Sequence, residues 1–173
     1  MIKNLQNDNL FIIIIACDFI FFLLIIICRD MTQEECIFCK IALRKIKTNI
    51  IIENDKAMAF LDAFPLSKGH TLVIPKAHYS KIQELDENSS QSLFNILWKI
   101  TNPVEKAMGV NSSTIAIHNG KEAGQEIPHV HIHVIPREMG DGAGPVHSMF
   151  KNKPNVSSSD MSSIVKGIKK SLT

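Results

Sequence analysis

The sequence has no excess of either charge: 19 Lys and Arg face 17 Asp and Glu over 173 residues, a formal net charge of +2. That balance argues against nucleic-acid binding, which needs a concentrated basic surface. The one basic cluster, Lys166, Lys169 and Lys170, reads as the solvated face of a last helix. Cysteine is scarce, with four residues. Cys17 and Cys28 fall inside an apolar stretch, which leaves Cys36 and Cys39 as a Cys-x-x-Cys pair, so a disulfide framework is not expected. Internal repeats are absent. The length suits one domain with a sizeable core.

Long apolar runs are missing too, with one exception. From Leu10 to Cys28 nearly every residue is Ile, Phe, Leu, Ala or Cys, with Asp18 as the interruption. About 19 apolar residues suffice to span a bilayer as a helix. The run is too long for a signal-peptide core, has only Lys3 as a positive charge before it, and offers no small-x-small cleavage site. Asp18 costs on the order of 2.5–3.5 kcal/mol on insertion scales, which the surrounding Ile and Phe can offset. Residues 10–28 are therefore either a signal anchor or the product of a reading frame opened ahead of Met31.

Beyond Met31 the periodicities change. Residues 34–45 read as a short helix with Ile37, Phe38 and Ile41 on one side. Residues 49–53 and 57–61 are short apolar runs separated by a turn signal, hence a hairpin. Residues 71–74 form a strand closed by Pro75. Asp86 or Asn88 caps a long helix that runs to about Met108 through Leu93, Ile96, Leu97 and Ile100; Pro103 is expected to kink it or to end its first segment. Residues 114–118 and 130–136 supply the last two strands, joined through a glycine-containing loop, and residues 159–172 a terminal helix. Five antiparallel strands in meander order with two main helices make an α+β domain. The expected organisation is an apolar extension over 1–30, a folded domain over 31–145, and a tail with a helix over 146–173.

The most informative segment is His129-Val130-His131-Ile132-His133-Val134-Ile135. Alternation at a period of two is that of a β-strand, which places three imidazoles on one face, roughly 6.6–7 Å apart, and Val130, Ile132 and Val134 on the other. Imidazole serves as nucleophile, acid, base or metal ligand near neutral pH, so two chemistries compete: a covalent or acid–base site, and a His-x-His metal site. The preceding loop, Asn119-Gly120-Lys121-Glu122-Ala123-Gly124-Gln125-Glu126, favours the first. Gly120 and Gly124 allow positive φ, and loops of this kind present consecutive N–H groups to anionic oxygens.

With these motifs on the page the chain resembles the histidine-triad (HIT) hydrolases and nucleotidyl transferases, from about Glu35 to the C-terminus. Cys36-Ile37-Phe38-Cys39-Lys40-Ile41, Ala59-Phe60-Leu61-Asp62, Gly69-His70-Thr71-Leu72-Val73-Ile74-Pro75-Lys76, Asn119-Gly120 with Ala123-Gly124-Gln125, and the triad followed by Ile135-Pro136-Arg137 stand in family order. It is most similar to the zinc-containing branch of bacteria and protists that includes adenosine-phosphoramidate hydrolases. The resemblance implies His131 as nucleophile on the α-phosphorus of a nucleoside 5′-phosphoramidate, through a nucleotidyl-histidine that water resolves. It implies His133 and His70 as orienting or phosphate-holding groups, and Gln125 as a contact to the bridging or leaving oxygen. Asn119, Gly124 and the Glu126 amide would bind ribose or phosphate, and Asp62 the ribose hydroxyls. Phe38, Ile41, Phe60 and Ala63 would form an apolar slot for the purine. Glu126 departs from relatives that carry Ser or Thr there.

The same resemblance adds His78 and His129 to Cys36 and Cys39 as a closed, structural Cys₂His₂ zinc set. It also implies a homodimer in which two sheets become one. Cleavage of dinucleoside polyphosphates is the alternative reaction, and a nucleotide-binding scaffold with incidental hydrolysis the alternative class. A cytoplasmic protein made from Met31 is expected, because nucleotide substrates and reduced thiolates belong in the cytosol, with membrane anchoring through residues 10–28 as the alternative. His118 and His147 are left without a role.

Overall fold

A computed structural model describes residues 35–172, so the expectations for the apolar stretch lie outside the described residues. Among those described, no helix is long and apolar enough to cross a membrane. Two compact units are present, one ending at Glu138 and the other beginning at Met139.

The first unit contains α1 (Ile37–Ala42), β1 (Ile50–Glu53), β2 (Ala57–Leu61), β3 (Thr71–Pro75), α2 (Glu87–Met108), β4 (Ser113–Ala116) and β5 (Ile132–Pro136). Every strand pairing is antiparallel. The α+β class and the five-stranded sheet are as expected, but the order is β1-β2-β3-β5-β4 rather than a plain meander. The long helix accounts for the departure. It carries the chain across the sheet between β3 and β4, so that β5 returns into the gap between them and β4 becomes an edge.

Each face of the sheet has its own core, and the strand alternation divides the residues between them. Ala57, Ala59, Val73, Val130, Ile132 and Val134 meet Leu93, Ile96, Ile100 and Val104 of α2. Those four helix positions recur at spacings of three and four, one face of an α-helix. Met58, Phe60, Leu72 and Ile74 point the other way and meet Cys36, Phe38, Cys39 and Ile41 around α1. Covered on both sides, β2 and β3 are apolar almost throughout, as buried strands are. Burial of each large aliphatic side chain is worth about 1.5–3 kcal/mol.

Asp86 caps α2 by accepting from the Ser89 N–H at 2.9 Å, and Gly109, at φ 71°, ends it in the left-handed conformation that glycine adopts without strain. The helix runs on through Pro103, so of the two expected outcomes, a kink or an end, it does not end there. Pro103 and Lys99, whose carbonyl loses its helical partner, both lie on the exposed side, where water can satisfy that carbonyl. The first helix is shorter than expected, because Arg44 takes a left-handed φ of 63°. The ladder of β5 starts only at Ile132 and that of β4 stops at Ala116. Ahead of β5 the chain bends, with the His129 N–H donating to the Ile127 carbonyl at 2.8 Å and the Val130 N–H to the Tyr79 carbonyl at 2.7 Å. Only His133 of the three histidines is therefore within the ladder.

The second unit contains α3 (Ser158–Lys170). Its first turn is closed by a capping box between Ser157 and Asp160, and none of its residues is buried.

Candidate active site and metal cluster

The histidines gather on the α1 side of the sheet. His133 lies between Leu72 of β3 and Ala116 of β4. His131, just ahead of the ladder, stands with its ring centre 5.0 Å from that of His133 and 5.2 Å from Phe38. This is no wet strand face: His129 is fully buried and His131 is 7% exposed.

Hydrogen bonding fixes the tautomers one after another. The Nδ1 of His131 lies 2.7 Å from the His129 carbonyl oxygen. A carbonyl only accepts, so Nδ1 carries the proton and Nε2 keeps a free lone pair. At His70 the order is reversed, since the Leu66 N–H donates to Nδ1 at 3.2 Å. Its Nε2 therefore bears the hydrogen and donates to His133 Nδ1 at 3.0 Å, which leaves the His133 Nε2–H as a free donor. Asp62 stands behind this chain with Oδ2 3.4 Å from His70 Nδ1. Burial lowers the pKa of His131, and the hydrogen bond to the His129 carbonyl opposes it only in part. Burial, followed by the neighbouring imidazoles His131, His70 and His118, brings His133 down to about 4. Burial lowers His70 as well, against the pull of Asp62. At neutral pH this is a set of neutral rings with assigned donors and acceptors.

The loop before the triad takes the expected form: Gly120 and Gly124 adopt φ of 113° and 88° around a short helical turn, Lys121–Ala123. Of its polar side chains, Gln125 is the one that turns inward. Gln125 accepts from the Gly120 N–H at 2.8 Å and donates to the Ser80 carbonyl at 2.8 Å and the His129 carbonyl at 3.4 Å. Gln125 thus braces the carbonyl that holds His131. Asn119 is similarly engaged, accepting from the Ile82 N–H at 2.9 Å and donating to Gln83 at 3.0 Å. Glu126 is exposed, and its charge acts on His131. Asp62 accepts from the Phe64 N–H at 2.9 Å. Phe38, Ile41 and Phe60 are buried in the α1-side core and form a wall, while Ala63 is exposed at its edge.

His118 belongs to this site and has no role in the sequence reading. Its ring centre lies 5.7 Å from that of His133, and its field lowers the pKa of both His131 and His133. Extending the β4–β5 register by two residues beyond the Ala116–His133 pair sets His118 opposite His131, a signal available from strand pairing alone.

A second cluster lies beside the first. Cys36, Cys39, His78 and His129 bring their ligand atoms within 4.8 Å of one another. The sulfur–nitrogen separations are 3.5 Å for Cys36–His129, 3.3 Å for Cys39–His78 and 3.6 Å for Cys39–His129. A tetrahedral zinc with usual Zn–S and Zn–N lengths has sulfur–nitrogen edges of about 3.6 Å, so the spacing fits. His129 Nε2 donates to the Pro75 carbonyl at 2.9 Å, which turns the Nδ1 lone pair toward the thiols and orients it as an outer-shell partner does. Burial brings His129 down to about 4 and lowers His78, so both are neutral donors. Burial and then Cys36 push the Cys39 thiol up to about 12, and a bound cation reverses that order by stabilising thiolate.

A five-stranded sheet that carries a buried, tautomer-fixed imidazole cluster beside a glycine loop defines the class of protein. The chain belongs to the HIT domain family, whose profile matches residues 44–140. It is 39% identical over 136 residues to an uncharacterised HIT-like protein of Methanocaldococcus jannaschii, covering 78% of this chain and 98% of that one. It is 41% identical over 113 residues to adenosine 5′-monophosphoramidase of Schizosaccharomyces pombe, covering 64% and 82%. Among solved structures, a zinc-bound histidine triad family protein from Mycobacterium smegmatis superposes with a TM-score of 0.60 at 29% identity, covering 71% of this chain and 86% of that one. The protein is thus a nucleotide hydrolase of the HIT family.

Proposed function

We propose that this chain hydrolyses nucleoside 5′-phosphoramidates, AMP-amines above all, through a nucleotidyl intermediate on His131. The observation that carries this reading is the 2.7 Å hydrogen bond from His131 Nδ1 to the His129 carbonyl. It fixes the tautomer and leaves Nε2 free to attack phosphorus, while burial favours the neutral ring. The Nε2–H of His133, kept in that tautomer by His70, donates to a phosphoryl oxygen and offsets the charge that develops there. Gln125 acts at one remove by holding the His129 carbonyl. Asp62 keeps lone pairs beyond its bond to Phe64, enough to accept from a ribose diol. The phosphoramidase reading is further supported by the S. pombe relative.

Cys36, Cys39, His78 and His129 would hold a zinc ion, whose closed ligand set makes it a structural support rather than a Lewis acid. A second copy of the chain would pair along the free edge of β4. Phe94 and Trp98, one turn apart on α2 and 40% and 78% exposed, stand in the helix row that reaches β4 through the Glu105–Ser113 hydrogen bond of 2.7 Å.

His131→Ala is expected to abolish turnover of an AMP-amide while leaving AMP binding largely intact; retained turnover refutes the mechanism. Faster cleavage of a diadenosine polyphosphate than of the amide moves the substrate assignment to the dinucleotides. Tight AMP binding with wild-type turnover no higher than that of His131→Ala supports a binding protein instead.

A further inference from the structure

Breaking the phosphorus–nitrogen bond of an amide sends an electron pair to a poorly leaving nitrogen, which needs a proton as it departs. The hydrogen-bonded histidines cannot supply it. His131 Nδ1–H is committed to the His129 carbonyl and His70 Nε2–H to His133. His133 is a neutral donor that can polarise an oxygen but not surrender its last ring proton. Carboxylates as a class act as acceptors at neutral pH, which leaves Asp62 and Glu126, the two whose charges reach His131, to hold charge.

His118 differs from the rest. Its ring is half-buried and makes no hydrogen bond among the described residues. Its Nδ1 edge lies against the glycine loop, 3.8 Å from where a Cβ on Gly124 would stand. It faces the imidazoles of His131 and His133, with Lys121 and Glu122 on the neighbouring loop. Neither of its nitrogens is thus committed to a hydrogen bond among the described residues, beside the rings of His131 and His133, and imidazole as a class takes up and releases protons near neutral pH.

We infer that His118 is the general acid that protonates the leaving nitrogen and, in the second half-reaction, the general base that accepts a proton from water. This deepens the phosphoramidate reading and rests on it. In the first step His131 Nε2 forms a bond to phosphorus, the bond to the leaving nitrogen breaks, and that nitrogen takes its electron pair and the proton of the His118 imidazolium. In the second step water attacks phosphorus, its proton passes to neutral His118, and His131 leaves with the electron pair of its bond. The products are AMP and a free amine, and His118 ends protonated as it began.

The test compares kcat/KM for an AMP-alkylamide and for the p-nitrophenyl ester of AMP, whose leaving group departs as a stable anion. That ratio reports only steps up to release of the first product. In His118→Gln, value on the amide is expected to fall about 10²–10⁴-fold, the usual contribution of a positioned acid. On the p-nitrophenyl ester it is expected to hold within about threefold. Melting of the variant within about 2 °C of wild type shows that it is folded. An equal fall on both substrates in a folded variant, or no fall on either, overturns the assignment. If Gln disturbs folding, His118→Asn is read by the same ratio. A wild-type chain that cleaves neither substrate overturns the phosphoramidate reading together with this role.

Discussion

At the residue scale, burial favours the neutral form of three of the site's histidines. Burial holds His133 down at about 4 and lowers His70 and His131, while an unfolded histidine titrates near 6.5. The unfolded chain therefore takes up protons first as pH falls, and stability is fully present above about pH 6.5 and declines between there and about 4. Wild-type melting temperature should fall over that window, and His133→Gln should flatten the decline. A profile in which variant and wild type run parallel would show that His133 is not the group responsible. Gly69, which precedes His70, has a φ of 79°, and a Cβ there would come 2.5 Å from Met108 Cγ. The backbone that delivers His70 has room for glycine alone.

At the scale of elements, α1 is too short to stand by itself. Its six residues fall well below the length at which an isolated helix persists in water. Phe38, Cys39 and Ile41 bury one face against β2 and β3, and the thiols reach His78 and His129 beyond the end of β3. A metal there would tie the helix to the sheet, away from the phosphorus chemistry. Protein purified without a histidine tag should contain about one zinc per chain. The double variant Cys36→Ser with Cys39→Ser should lose the metal and much of its thermal stability, with a smaller effect on turnover. Metal-free wild-type protein with the same melting point as the metal-loaded form would refute the site.

For the whole molecule, the consequence of the crossover is an edge. Inserting β5 between β3 and β4 leaves β4 with one paired side, and an unpaired edge is a template for another strand. Ile115 of β4 is 48% exposed, and Trp98 of α2 is 78% exposed. An interface built there in a homodimer has two-fold symmetry and would lengthen the sheet without a break. Sedimentation of the wild type at micromolar concentration should report a dimer, and Trp98→Glu should shift it toward monomer. A wild type that remains monomeric throughout would discard this surface as a self-contact.

Much of this was legible in the sequence because it rests on short-range periodicity. Alternation placed Val130, Ile132 and Val134 in the core and the histidines on the opposite side. Spacing of Leu93, Ile96 and Ile100 set the buried face of α2, and Asp86 was one of the two caps expected at its start. Positive φ at Gly120 and Gly124 follows from the absence of a side chain. What local pattern cannot carry is pairing between distant segments. The position of β5 depends on how α2 crosses the sheet, and Pro103 passes through the helix only because that side faces water. Gln125 turns inward because the Ser80 and His129 carbonyls converge on it from segments 45 and 4 residues away. His118 enters the site by strand register, and the lone pairs of the histidines are set by carbonyls and amides whose positions exist only once the chain has folded.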